Sequence, residues 1–286
     1  KKLAELKEKS TGATTKFLTI KILHNIDVLL PDPKYQIRIA SVLSAYDDLI
    51  ENNEKRIKAL EEMAQLLYTE WFVKFKFPGH EKVKMVESGT EYGKIPENFI
   101  IEDITKLIDF VRGVEPGSTN YKTYFSPGLL PFLRVGDLGS RSSELFVEKA
   151  VTKGKILERK DVAVTMDGTV GRVVIGFFGA YSTGIRKLVI LDEKINREFL
   201  YNFMLSDYVQ NMIKAHAKGS TILHASESIN YIKIILPTQK LMDEFGQLTN
   251  PLIEQILNLQ DQNRNLSQTR DLLIPQLVTG EREIKN

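Results

Sequence analysis

Two stretches of this chain repeat each other at a separation far longer than any stacked repeat. Residues from Gly12 read GATTKFLTIKILHNIDVLLP, and residues from Gly219 read GSTILHASESINYIKIILP. Each holds a Gly, small hydroxyl residues, a polar stretch and an apolar strand ending in proline, at Pro31 or Pro237. A Gln-bearing helical segment with few breakers follows each proline. The two prolines lie 206 residues apart, whereas solenoid repeats recur every 20–50 residues or so. The chain therefore carries two copies of a strand-to-helix junction with a large domain between them.

The first helix is predicted from about Lys34 to Phe72. Leu43, Tyr46, Ile50, Ile57, Leu60, Ala64, Leu67 and Trp71 recur at alternating spacings of three and four, with Asn53 the polar member of the seam. The same phase in the second copy takes Thr249, Leu252, Ile256, Asn263, Leu266, Arg270, Leu273 and Leu277. Pro251 and Pro275 predict a kink there and an end near Leu273. Matched phase with a polar Asn in each seam favours the helices packing on one another over each packing on its own domain. An antiparallel coiled coil sets Asn53 on Asn263 as register-fixing residues. It also sets Ile50 on Leu266, Leu60 on Ile256 and Leu43 on Leu273. A helix of about 39 residues spans roughly 58 Å, a little over one and a half DNA turns.

The expected organisation is a domain remnant over 1–30, a helix over 31–77, a linker over 78–95, a folded domain over 96–236, and a distal helix with a tail over 237–286. Within the folded domain, Asn196–His216 reads as helix. Asp161–Thr165, Gly171–Phe178 and Lys187–Leu191 read as strands, and turns are marked at Pro116-Gly117, Pro127-Gly128, Asp167-Gly168 and Gly179. The class is α+β, a twisted sheet with flanking helices bracketed by two long helices.

Several functions lack their residues. There is no cysteine, so disulfides and thiolate metal sites are excluded and a cytoplasmic protein is expected. His24, His80, His216 and His224 are dispersed, and no metal site is expected. Asp32-Pro33-Lys34-Tyr35 misses the D/N-P-P-Y/F pattern of an amino-methyltransferase at its second proline, and no Gly-rich loop follows a strand. No G-x-S-x-G elbow occurs, and nothing places a further carboxylate beside Asp192 and Lys194 for metal-dependent cleavage. No catalytic residue is assigned. The net charge of only +2 means that a nucleic-acid face would have to gather its cations on one side.

The sequence resembles the specificity subunit of type I restriction-modification systems. The resemblance rests on the duplicated junction, the L-x-x-M-A-Q-x-L-Y-x-x-W-F helix ending at Leu60–Phe72, and GKIPENF at Gly93–Phe99. LPFLRVGDL at Leu130–Leu138, DVAVTMDGTVGR at Asp161–Arg172 and RDLLIPQLVTGE at Arg270–Glu281 complete it. It implies a non-catalytic reader of part of a bipartite double-stranded DNA target. The implied partners are modification subunits, which would hold S-adenosylmethionine, and through them a restriction subunit. One recognition domain is whole, so the chain is expected to be either a fragment or a half-length subunit pairing with a second copy. The alternative is a coiled-coil adaptor that reads no DNA.

Base reading needs planar or hydroxyl side chains, and phosphate contact needs cations. The expected DNA-binding residues flank the turns: Lys122, Tyr124, Arg134, Arg141, Arg172, Ser182, Thr183, Arg186, Lys187, Lys218, Ser220, Thr221 and His224. Each could equally be a solvated charge or a turn residue; as a set they favour nucleic acid. Trp71, Phe72, Phe75 and Phe77 are either a hot spot for a protein partner or a local core beneath the linker.

Overall fold

The computed structural model describes residues 19–24, 31–90, 92–220 and 222–284. Most of the expected remnant over 1–30 lies outside these residues. Its described part, α1 (Ile20–His24), is a helical turn ahead of the expected strand, which lies outside the described residues, and a 3-10 turn at Ser226–Tyr231 stands in the corresponding place of the second copy. The long helices α2 (Pro33–Tyr68) and α7 (Gln239–Val278) begin at the same 206-residue offset. Pro33 is the first residue of α2, where its missing N–H costs nothing. Asp32 caps this end, its carboxylate accepting from the Lys34 amide at 2.9 Å.

The chain divides into two units, one of Lys1–Ile50 with Asn265–Asn286 and one of Glu51–Arg264. In the first, Leu43, Tyr46 and Ile50 of α2 are half-buried and Leu273 and Leu277 of α7 are buried. Arg270 donates to the Asp47 carboxylate at 2.6 Å between the two helices.

In the second unit the helices continue as a pair. Asn53 donates its amide to the Asn263 side-chain oxygen at 2.9 Å, and Ala64, Ile256 and Leu259 are buried along the seam. The expected end near Leu273 is corrected, because α7 runs through both prolines to Val278. Pro251 and Pro275 are exposed, as are Gln247 and Asp271 four residues before them. The carbonyls freed by the missing proline N–H groups therefore lie on residues open to water.

Between the helices the domain has two four-stranded sheets. One orders β4 (Ile108–Arg112), β11 (Ile185–Ile190), β8 (Ala163–Thr165) and β9 (Val173–Val174), all antiparallel. The other orders β6 (Phe146–Glu148), β5 (Leu129–Leu133), β10 (Gly179–Tyr181) and β7 (Ile156–Leu157), with β5 and β10 parallel. The expected linker contains a hairpin of β1 (Met85–Glu87) and β2 (Lys94–Pro96). The domain is closed where β3 (Ile100–Asp103) pairs antiparallel with β12 (Lys233–Leu236). The helix expected over 196–216 is broken into α5 (Arg197–Leu205) and α6 (Asp207–Ala215), because Asn196 and Ser206 each cap a new N-terminus.

The core forms where helices and domain meet. After Tyr68 the backbone widens into a π turn, Thr69–Val73, with the Lys74 amide reaching the Thr69 carbonyl at 2.9 Å. Trp71 and Phe72 are consecutive in this turn and both buried. Phe72 lies 4.9 Å from Phe199 and 5.0 Å from Phe245, ring centre to ring centre. Phe77 stacks on Phe99, and Phe75 meets the same ring edge-on. Of the two readings of Trp71, Phe72, Phe75 and Phe77, the partner hot spot gives way to the local core: Trp71, Phe72 and Phe77 are buried and Phe75 is half-buried.

Phe72→Ala is expected to destabilise the fold by about 3–5 kcal/mol in urea denaturation. Leu66→Ala, at an exposed position of α2, should change it by less than about 0.5 kcal/mol. Equal losses would contradict this assignment of the core.

Candidate nucleic-acid interface

One crossing of the chain between the two sheets organises the candidate site. β10 and β11 are joined by Ser182-Thr183-Gly184, and the turn at Asp167-Gly168 packs against this crossing. The Met166 amide donates to the Gly184 carbonyl at 2.8 Å. Gly184 leaves no room for a side chain, since a Cβ there would lie 2.7 Å from the Val135 side chain. Gly168 takes φ +73° and donates its amide to the Leu223 carbonyl at 2.8 Å. The loops around 135, 167, 183 and 223 therefore meet.

Arg186 holds this cluster from inside. It is only 6 % exposed. Its guanidinium donates to the Thr183 carbonyl and, at 2.9 Å, to the Ser226 hydroxyl, and it lies 4.0 Å from the Asp167 carboxylate. Burial pulls its pKa below the usual arginine value, with Asp167 opposing. Arg186 and Ser182, expected among the DNA-binding residues, are both buried and are thus corrected to supports of the cluster. The Asp167 carboxylate also accepts a hydrogen bond from His224, whose Nδ1 is 2.7 Å from Oδ1.

The other expected residues fall into distinct groups. Thr183 and His224 lie in the loop cluster, and Lys218 and Ser220 are exposed on the hairpin that carries His224. Lys218 pairs with Glu227 at 2.6 Å. Thr221 lies outside the described residues. Arg134 stands half-exposed beside Val135, its fork closed on Asp137, and this hydrogen bond and charge raise its pKa. Lys187 is paired with Asp161 at 2.5 Å and mostly covered. Lys122 bridges to Phe146 through its backbone, and Tyr124 is exposed on the following loop.

Arg141 turns away from the cluster. Its guanidinium lies 4.9 Å over the Phe177 ring, with Glu61 of α2 close enough to oppose the lowering of its pKa by burial. With the Gln260 amide oriented to satisfy its neighbours, Gln260 accepts from Arg141 at 2.7 Å and donates to the Ile175 carbonyl. Arg141, still exposed, thus also ties the domain to the helices. Arg172 packs its guanidinium beneath Gly139, where a Cβ would lie 2.3 Å from it.

Two residues of the cluster were missed in the sequence. Arg112, at the end of β4, is exposed and reaches the Thr183 carbonyl at 3.4 Å. Asp167 was read only as a turn former, although a turn Asp beside a basic loop was a usable signal. Among the described residues no group of His, Asp or Glu is arranged to hold a metal ion, and no helix is long and apolar enough to cross a membrane.

Comparison with known proteins gives a consistent picture. The model of the type I restriction modification DNA specificity domain matches residues 1–62 and 96–259. The type I restriction enzyme MjaIX specificity subunit of Methanocaldococcus jannaschii is 31 % identical over 292 residues, which cover 98 % of this chain and 66 % of that protein. The HindI specificity subunit of Haemophilus influenzae is 22 % identical, over 95 % of this chain and 72 % of that one. The chain thus spans about two thirds of the length of these curated relatives. Among solved structures, the type I restriction-modification S subunit of M. genitalium superposes with a TM-score of 0.56 at 16 % identity. It covers 99 % of this chain and 70 % of that one, a likeness of fold.

Arg186→Leu is expected to destabilise the chain by about 3 kcal/mol, because it strands the carbonyl, hydroxyl and carboxylate that the guanidinium serves. Hydrogen exchange should locate the loosening at the Met166, Gly168 and His224 amides, which donate across this cluster. Unchanged protection at those amides would contradict the supporting role.

Proposed function

The chain belongs to the type I restriction-modification DNA specificity family, and we propose that it is the subunit that reads DNA for such a system. The observation that carries the reading is the match of this family over residues 96–259, the stretch whose loops converge on one basic and hydroxyl-bearing cluster. Arg112, Arg134 and His224 supply the cations and ring of that cluster, and Thr183 and Ser220 its hydroxyls. Exposed arginine and lysine beside a phosphate give salt-dependent affinity, and polar groups on fixed loops give sequence choice.

In this proposal residues 96–236 read one part of a bipartite target and the long helices hold that reader at a set distance from a second one. The 36 residues of α2 correspond to about 54 Å of helix. The second reader is a second recognition domain of the same assembly. Modification subunits, and a restriction subunit through them, complete the assembly. In this proposal S-adenosylmethionine is held by the modification subunit. An adaptor made of helices alone leaves the two-sheet domain without a task.

The test is duplex binding by the chain with its modification subunits at several salt concentrations. Affinity should fall as salt rises, log–log, with a slope of about −0.9 per phosphate contact. Replacing 96–236 by the corresponding domain of another family member should change the half-site methylated. Salt-independent binding, or an unchanged methylation site after the exchange, would overturn the proposal.

A further inference from the structure

His224 stands on a hairpin held from several directions. Lys218 and His224 exchange both backbone hydrogen bonds, at 2.9 and 2.7 Å, and Gly168 donates to the neighbouring Leu223 carbonyl. Gly219, at φ +126°, makes the turn possible, since a Cβ there would lie 2.0 Å from the Ile222 carbonyl oxygen. The imidazole itself is fixed by Asp167, which is largely buried and backed by the buried Arg186. Yet the His224 side chain remains 64 % exposed. Among the described residues, no hydrogen bond uses its Nε2.

This arrangement determines what the ring presents. A carboxylate only accepts hydrogen bonds, so the Nδ1 facing Asp167 carries the proton. In the neutral ring Nε2 is then an acceptor. A fixed acceptor on an exposed hairpin matches the exocyclic amino groups of the major groove, adenine N6 and cytosine N4. It mismatches guanine O6 and N7 and thymine O4, which also accept. A tie that served only to pin the loop would not require the far side of the ring to stay open.

We propose that His224 is a specificity-determining residue that reads an exocyclic amino group of one base through Nε2, with Asp167 setting its tautomer. The assignment rests on the DNA-reading function argued above. Because ring and backbone are already fixed in the free protein, little ordering is needed on binding.

The chain with its modification subunits is used to select randomised duplexes at pH 8.5. His224→Ala should lose preference at a single position by roughly 5–150-fold, leaving the other positions intact, and His224→Phe, which keeps a ring without an acceptor, should match it. At that position, an adenine or cytosine analogue lacking the amino group should weaken the wild type by a similar factor and the two variants not at all. Variants that weaken all sequences alike, no change at any position, or equal sensitivity of wild type and variants to the analogue would each overturn the assignment. A wild-type complex that selects no sequence would instead overturn the DNA-reading function on which it rests.

Discussion

The contact among Phe72, Phe199 and Phe245 is the constraint on which the rest of this structure depends. The three rings come from the π turn after α2, from α5 of the two-sheet domain and from α7. They meet within 4.9 to 6.2 Å, each pair edge to face, an arrangement that aromatic quadrupoles favour. Long amphipathic helices have little reason to hold a fixed direction in isolation, because most of their stability comes from packing a face. Here the buried aromatic end of one helix and the start of the other enter the same core as the domain. The pairing of β3 with β12 then brings the first and last strands of the domain back to that place.

Above this core, charge is used mainly for positioning. Arg186 is buried beneath the loop cluster, Arg159 pairs with Asp261 of α7 at 2.6 Å, and Arg141 reaches Gln260. Gly176, at φ +89°, allows that last approach, since any side chain there would collide with Gln260. Arg141, Arg159 and Arg186 thus tie elements of the protein together. Such ties suit recognition by fixed loops, where a contact already in place discriminates between bases with little ordering of the chain.

The helices and their register were legible because a heptad seam is a one-dimensional signal. The spacing of Leu43, Tyr46 and Ile50 set the phase, and an asparagine in each seam marked Asn53 and Asn263 as opposite numbers. The strands at Asp161–Thr165 and Lys187–Leu191 were legible as β-branched runs, though shifted by a residue or two at their ends. What the chain's order hid was tertiary. Nothing near Arg141 distinguishes a cation destined for Gln260 from one facing solvent, and Arg186 looked like its exposed neighbours until Asp167, Thr183 and Ser226 closed around it. The break at Ser206 was readable as a capping residue, but the apolar run on both sides masked it. Pro251 and Pro275 misled because a proline stops a helix most firmly where its freed carbonyl is buried, and here those carbonyls belong to exposed residues.

The central claim is that the loops at Arg112, Asp167–Gly168, Ser182–Gly184 and Lys218–His224 form one DNA-contacting surface on a fixed core. Hydrogen exchange of the chain with its modification subunits, compared with and without a cognate duplex, addresses it most directly. The account requires new protection at all four loops together and none at the Phe72–Phe245 core, which is already closed. Protection confined to another face of the domain, with these loops exchanging as before, would contradict it.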